Sequence, residues 1–91
     1  MPLQEDLARC EQDTRDVIGA GAAARLAAWH QYERQEDLVE FIRRMIRNQQ
    51  NRANGFLLSR QNRVSLESIV INNHNLFSDE DLWIARGTLG T

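Results

Sequence analysis

Apolar residues recur at helical spacing in several stretches of the chain, which are separated by polar or small residues. Near the N-terminus they follow one another at intervals of four and three residues, which predicts a first helix over residues 3–17. An alanine-rich stretch predicts a second helix over residues 22–32, after a bend near Gly19 and Gly21, because glycine weakens a helix. We expect the small side chains of this second helix to let another helix approach closely.

The strongest periodic pattern lies between residues 38 and 46. Apolar side chains there fall at i, i+3, i+4, i+7 and i+8, which is typical of one buried helix face. They are Leu38, Phe41, Ile42, Met45 and Ile46. Asp37 followed by Glu40 resembles a capping box, so we predict a helix over residues 37–51. The apolar stripes before and after residues 33–36 point in nearly opposite directions, which favours a break there, or a long helix with different neighbours at each end. Turn chemistry at Asn54-Gly55 is expected to end this helix.

Residues 56–71 allow two interpretations. Ser65 can cap a short helix that turns Leu66, Ile69 and Val70 inward. The β-branched run is instead typical of a strand, which would pair with residues 56–58 in a short hairpin. The helical neighbours, and the lack of a dipeptide suited to a tight hairpin turn, favour the helix.

The C-terminal segment carries the clearest helix start. Ser78 supplies a hydroxyl cap, and acidic residues follow in the first turn. Gly87 is the expected stop, after which residues 88–91 would form a frayed tail. The chain is therefore predicted to be a single all-α domain over residues 1–91, a small bundle of four to five helices, with the hairpin at 56–71 as the alternative.

Composition adds a prediction of self-association. A chain of 91 residues buries a small core, and small cores often gain stability by association. We expect a homo-oligomer that uses the first two helices. The expected interface residues are Leu3, Leu7, Ala22, Leu26 and Trp29. One cysteine, Cys10, and the lack of a signal-like or membrane-spanning stretch predict a cytoplasmic protein that does not enter a membrane.

Most catalytic and cofactor patterns are missing from the sequence. The run Gly19-Ala-Gly-Ala-Ala-Ala24 has the form G-x-G-x-x-A, but the polar residues 11–16 before it do not suit the buried strand that a dinucleotide site needs. His30, His74 and Cys10 are too far apart in sequence to match a metal-ligand spacing. We predict that the protein is not an enzyme, and that it has no catalytic residue, cofactor or metal.

Charge is distributed unevenly around a net value of −2. Residues 1–42 carry −5, residues 43–66 carry +6 and residues 67–91 carry −3. This basic island, rich in Arg, Asn and Gln, has the side chains that bind carboxylates, phosphates and base edges. The predicted partner-binding residues are Arg43, Arg44, Arg47, Asn51, Arg52, Arg60 and Arg63.

Three interpretations of the basic island remain open. The favoured function is a regulatory or interaction protein that self-associates and binds a protein partner with an acidic surface through an Arg-rich helix face. The alternative is nucleic-acid binding through residues 43–63, although a pI of 5.6 is low for a dedicated nucleic-acid-binding protein. The arginines can also simply pair with the acidic residues of the chain itself or of a second subunit.

Overall fold

Six α-helices and two short 3₁₀ helices account for most of residues 2–90, which are the residues that the structure, a computed structural model, describes. The α-helices are α1 (Pro2–Val17), α2 (Ala20–Leu26), α3 (Gln35–Arg47), α4 (Gln49–Arg60), α5 (Leu66–Asn72) and α6 (Asp79–Leu89). The 3₁₀ helices are Ala27–Gln31 and His74–Leu76. Residues 2–90 contain no strand. The predicted all-α class is therefore confirmed, with more helices than the four to five expected.

Residues 65–72 settle the choice between helix and hairpin. The Ser65 hydroxyl accepts a hydrogen bond from the Ser68 backbone N–H at 3.1 Å, and the Ser68 hydroxyl accepts one from the Ser65 backbone N–H at 3.0 Å. This reciprocal cap satisfies donors that would otherwise be orphaned at the start of α5. The proposed partner strand, residues 56–58, lies inside α4, so the hairpin prediction is wrong.

The predicted helix over residues 37–51 is in fact two helices. Asn48 adopts an extended conformation, and its side chain accepts a hydrogen bond from the Asn51 backbone N–H at 3.1 Å, which starts α4. Asn is a strong N-cap residue, and here its capping ability outweighs the continuing helical pattern. The predicted stop at Asn54-Gly55 is wrong, because α4 passes through Gly55 and ends at Arg60.

Two other helix ends differ from the sequence prediction, and one agrees with it. α3 begins at Gln35 after Arg34, whose side chain makes no cap, so the expected Asp37–Glu40 capping box is absent. α2 ends at Leu26, where the chain tightens into a 3₁₀ helix instead of continuing to residue 32. α6 begins after Ser78 as predicted.

The C-terminal end of α6 lies beyond the predicted stop at Gly87. α6 passes Gly87 and reaches Leu89, and Gly90 closes it with a left-handed φ of 79°. Thr88 and Leu89 of the predicted tail are thus helical. Thr91 lies outside the described residues.

The core is one apolar cluster built mainly from α1, α3 and α5. Its members are Leu3, Leu7, Cys10, Leu26, Leu38, Phe41, Ile42, Ile46, Leu66, Ile69, Val70 and Ala85. Burial raises the pKa of the Cys10 thiol to about 12, so this thiol is protonated at neutral pH.

Three of the predicted oligomer-interface residues are buried in this core. Leu3, Leu7 and Leu26 are at most 2% exposed within the chain itself, which leaves them no surface for a second copy. Ala22 and Trp29, the other two predicted interface residues, remain partly exposed to solvent. Helical spacing predicts that a face is covered, but not whether the same chain or another one covers it. No helix within residues 2–90 has the length and apolar character needed to cross a membrane.

Candidate binding groove

Two of the predicted partner-binding arginines are engaged by a single acidic residue of α6. Arg43 Nε donates to both carboxylate oxygens of Asp81, at 2.9 and 3.1 Å, and Arg47 Nη2 donates to Asp81 Oδ1 at 2.7 Å. Arg43 also reaches Glu40, and Arg47 reaches Glu80. The guanidinium groups of Arg43 and Arg47 are therefore neutralised within the protomer, although their side chains stay 39% and 32% exposed.

Asp81 is itself fully buried and held from three directions. The Ser78 backbone N–H donates to Asp81 Oδ2 at 3.0 Å, as part of the cap of α6. Burial alone raises the pKa of a carboxyl group, but the hydrogen bonds from Ser78, Arg47 and Arg43 outweigh it and lower the pKa of Asp81 to about 2. This cluster joins α3 to α6, which gives these two arginines a structural role.

Other arginines of the basic island also have partners in the chain. Arg63 donates to Asp13 at 3.2 Å, and the Val64 backbone N–H donates to the same carboxylate at 2.9 Å, which ties the α4–α5 connection to α1. Arg52 Nε donates to the Thr88 hydroxyl at 2.9 Å. The guanidinium carbon of Arg60 lies 5.6 Å from the centre of the Phe56 ring, within cation–π range.

A groove lies between the α2 segment with its following 3₁₀ helix and the junction of α3 with α4. It consists of two adjoining hollows of about 110 and 340 Å³ that share Arg25, Met45 and Asn48. The lining residues are Ala22, Arg25, Ala28, Tyr32, Phe41, Arg44, Met45, Asn48, Gln50, Asn51 and Asn54. On one side the lining includes two small side chains, Ala22 of α2 and Ala28 of the 3₁₀ helix, which fill little of this space.

The groove is positively charged and has apolar surface between its polar groups. None of its lining residues is acidic. Arg25 and Arg44 form no ion pair with any carboxylate in residues 2–90, and Arg44 Nη2 donates only to the Tyr32 hydroxyl, at 3.3 Å. The lining also includes alanine, methionine and aromatic side chains, and several side-chain amides. The arrangement can accept a carboxylate or phosphate beside an apolar group.

The structure brings only part of the predicted site together. Arg44 and Asn51 line the groove, whereas Arg52, Arg60 and Arg63 lie outside it. Sequence reasoning missed Arg25, because it lies outside the basic island. A usable signal existed, since no acidic residue stands three or four positions from Arg25 on its helix.

A second polar cluster fixes the 3₁₀ helix that borders the groove. Glu11 on α1 accepts hydrogen bonds from Trp29 Nε1 at 2.9 Å, His30 Nε2 at 2.7 Å and Arg15 Nη2 at 3.3 Å. Burial raises the pKa of Glu11, but hydrogen bonds from His30 and Trp29 outweigh it, so the net shift is downward. Trp29 is one of the predicted oligomer-interface residues, but its indole N–H donates a hydrogen bond within the protomer.

None of the protein-family models, the curated proteins or the solved structures matched this chain.

Proposed function

We propose that this protein is a non-enzymatic binding protein that receives an acidic segment of a protein partner in the groove between α2 and the α3–α4 junction. The observation that carries the proposal is the pair Arg25 and Arg44. Both residues line the groove together with apolar side chains, and neither has a carboxylate partner in residues 2–90, in a chain whose net charge is −2. Elsewhere on the described surface, six other arginines pair with acids.

The mixed character of the groove favours a peptide as its ligand. A carboxylate can accept two hydrogen bonds from one guanidinium fork, and an adjacent apolar side chain can cover Met45 and the neighbouring alanines. Side chains such as Asn51 offer donors and acceptors to a peptide backbone. Complementary charge would also accelerate association, an effect that weakens as salt is added.

The same features argue against nucleic acid as the principal ligand. Nucleic-acid binding draws most of its affinity from several phosphate contacts. Arg43, Arg47 and Arg63, which the sequence offers for such contacts, already bind carboxylates of the chain. The acidic residues that neutralise them weaken the positive field that a polyanion would meet.

A binding assay with two kinds of probe tests this proposal. A fluorescent peptide that alternates glutamate with leucine, and single-stranded DNA and RNA oligonucleotides, are titrated with the protein while anisotropy is recorded at low and high salt. We expect the peptide to bind more tightly than either oligonucleotide. The double variant R25A/R44A should weaken peptide binding about tenfold or more, because two charge-assisted contacts are lost.

The matched control is Arg60→Ala, which removes an exposed arginine at the end of α4 that does not line the groove. It should leave the affinity for the peptide unchanged. Circular dichroism and thermal melting establish that the double variant is folded. The proposal is wrong if the wild-type protein does not bind the peptide, if R25A/R44A binds it as well as the wild type does, or if an oligonucleotide binds more tightly.

A further inference from the structure

The outer face of α6 carries the most exposed large apolar side chain of the described residues. Trp83 is 76% exposed, compared with 47% for Leu57 and 39% for Phe56. It lies beside a shallow hollow of about 420 Å³ that is lined by Asp79, Leu82, Trp83, Arg86 and Gly87. A solvent-exposed tryptophan of this kind is a typical anchor of a protein interface.

The charges on this face are arranged around Trp83. Asp79 lies one turn before Trp83, and Arg86 lies almost one turn after it, on the same side of the helix. They are separated by about 10 Å along the helix axis, which is too far for a direct ion pair. Neither forms a salt bridge with another side chain in residues 2–90. The face is therefore negative at one end, apolar in the middle and positive at the other end.

This arrangement is complementary to itself. If two α6 helices meet antiparallel about a two-fold axis at Trp83, Asp79 of each copy comes opposite Arg86 of the other, so that two equivalent ion pairs form. Gly87 has open space around it and presents no side chain that would hold the helices apart. We propose that the outer face of α6 is a homodimer interface, occupied by a second copy of this chain.

The opposite side of α6 is already in use within the protomer. Asp81 and Ala85 are fully buried, and Glu80 pairs with Arg47. The outer face is thus distinct from the core and from the groove, which lies between other helices. The proposed dimer does not depend on the ligand of the groove, and the two proposals can fail separately.

Substitutions that reverse the charges of Asp79 and Arg86 test the interface. The mass of the protein is measured by sedimentation equilibrium over a range of concentrations, for the wild type and for Asp79→Arg and Arg86→Asp. Each single variant places like charges opposite each other twice, and should weaken dimerisation about tenfold or more. An equimolar mixture of the two variants should form heterodimers, because every facing pair is then opposite in charge. The double variant D79R/R86D should dimerise by itself again.

Further variants keep the test decisive. Trp83→Ala should also weaken the dimer about tenfold or more, and it decides the question if a charge variant does not fold. Arg60→Asp, which makes an equal charge change on α4, is the control and should leave the dimer intact. The proposal is overturned if the wild type is monomeric throughout, if the mixed charge variants stay monomeric, or if Arg60→Asp acts like Arg86→Asp. Trp83→Ala should retain the groove's affinity for the acidic peptide.

Discussion

Two carboxyl groups within residues 2–90 are completely buried, and their surroundings differ in opposite directions. Asp81 on α6 and Glu67 on α5 both have no exposed surface. Asp81 receives hydrogen bonds from two arginines and from the cap of its helix. Neither side-chain oxygen of Glu67 has a hydrogen-bond partner within residues 2–90.

The pKa values of the two groups diverge accordingly. The pKa of Asp81 is lowered to about 2, because its hydrogen-bond donors outweigh the effect of burial. The pKa of Glu67 is raised to about 7, because burial disfavours its charged form and the positive charge of Arg52 only partly offsets this effect. Burial alone therefore does not decide the charge of a side chain. The neighbours that tertiary folding supplies decide it.

Gly55 explains why the Glu67 side chain fits beside α4. A Cβ atom at position 55 would overlap Glu67 Oε1 and would lie 2.8 Å from Glu67 Cδ. The missing side chain therefore makes the space that the carboxyl group fills. Glu67 thus connects α5 with α4.

Removing the partners of Asp81 should have the largest effect. The double variant R43M/R47M leaves a buried charge without compensation, and should lower the free energy of unfolding by about 3–5 kcal/mol in urea titrations at neutral pH. Arg44→Met is the matched control on the same helix, because Arg44 contacts no carboxylate in residues 2–90, and it should change stability by less than about 0.5 kcal/mol. Similar small losses in both variants would show that the Asp81 cluster is energetically unimportant.

Glu67 should make the protein less stable as pH rises. Its pKa is higher in the folded chain than in the unfolded one, so the unfolded state loses the proton first. The free energy of unfolding should therefore fall between about pH 4.5 and pH 7. The fall from this group is at most about 3 kcal/mol.

The variant Glu67→Gln tests this pH dependence, because it keeps the side-chain shape without the titration. Its stability, measured by urea unfolding at several pH values, should be flatter across this window than that of the wild type. Asp81 does not affect stability in this pH window. Its contribution to the free energy of unfolding is lost at lower pH, as the pH falls from its ordinary pKa of 3.8 to its folded-state pKa of about 2. Equal slopes for the wild type and Glu67→Gln would contradict the assignment.

A side chain at position 55 should cost less than the loss of the arginines. Gly55→Ala should destabilise the protein by about 1–3 kcal/mol, because the new methyl group must displace the buried Glu67 carboxyl. Gly21→Ala in α2 has open space, and should be neutral or stabilising by up to about 1 kcal/mol. A neutral Gly55→Ala in thermal or urea unfolding would mean that Glu67 has room to move.

The smallest expected effect concerns the caps that precede the two carboxyl groups. Ser65→Ala and Ser78→Ala should each lower the free energy of unfolding by about 1 kcal/mol, because each removes one capping hydroxyl. Only Ser78→Ala should also raise the pKa of Asp81, since the Ser78 hydroxyl contributes to that shift. Acid unfolding monitored by circular dichroism should therefore begin at a higher pH in Ser78→Ala than in Ser65→Ala.

Local sequence rules determined much of the fold. The apolar stripe on α3, with Leu38 and Ile42 at its centre, correctly predicted a buried helix face, because 3.6-residue periodicity is a property of the helix itself. Ser65 and Ser78 correctly marked two helix starts, because a cap involves neighbours only three residues away. These features hold in any all-helical arrangement of the chain.

Only the tertiary structure decided how the helices use those features. Gly55 lies inside α4, where Glu67, twelve positions along the chain, occupies the place that a side chain at position 55 would take, and no turn rule contains that contact. The leucines of α1 have the spacing of an interface but lie in the chain's own core.

The candidate groove also depends partly on the sequence and partly on the tertiary structure. The sequence alone determined where the arginines are concentrated, and two of the residues that it predicts for partner binding, Arg44 and Asn51, line the groove. It did not determine which arginines stay available, because the competing acids are remote in sequence: Asp81 is 38 positions from Arg43. Ion pairing depends on distance in space, so the choice between a binding arginine and a structural one was made only when the helices packed.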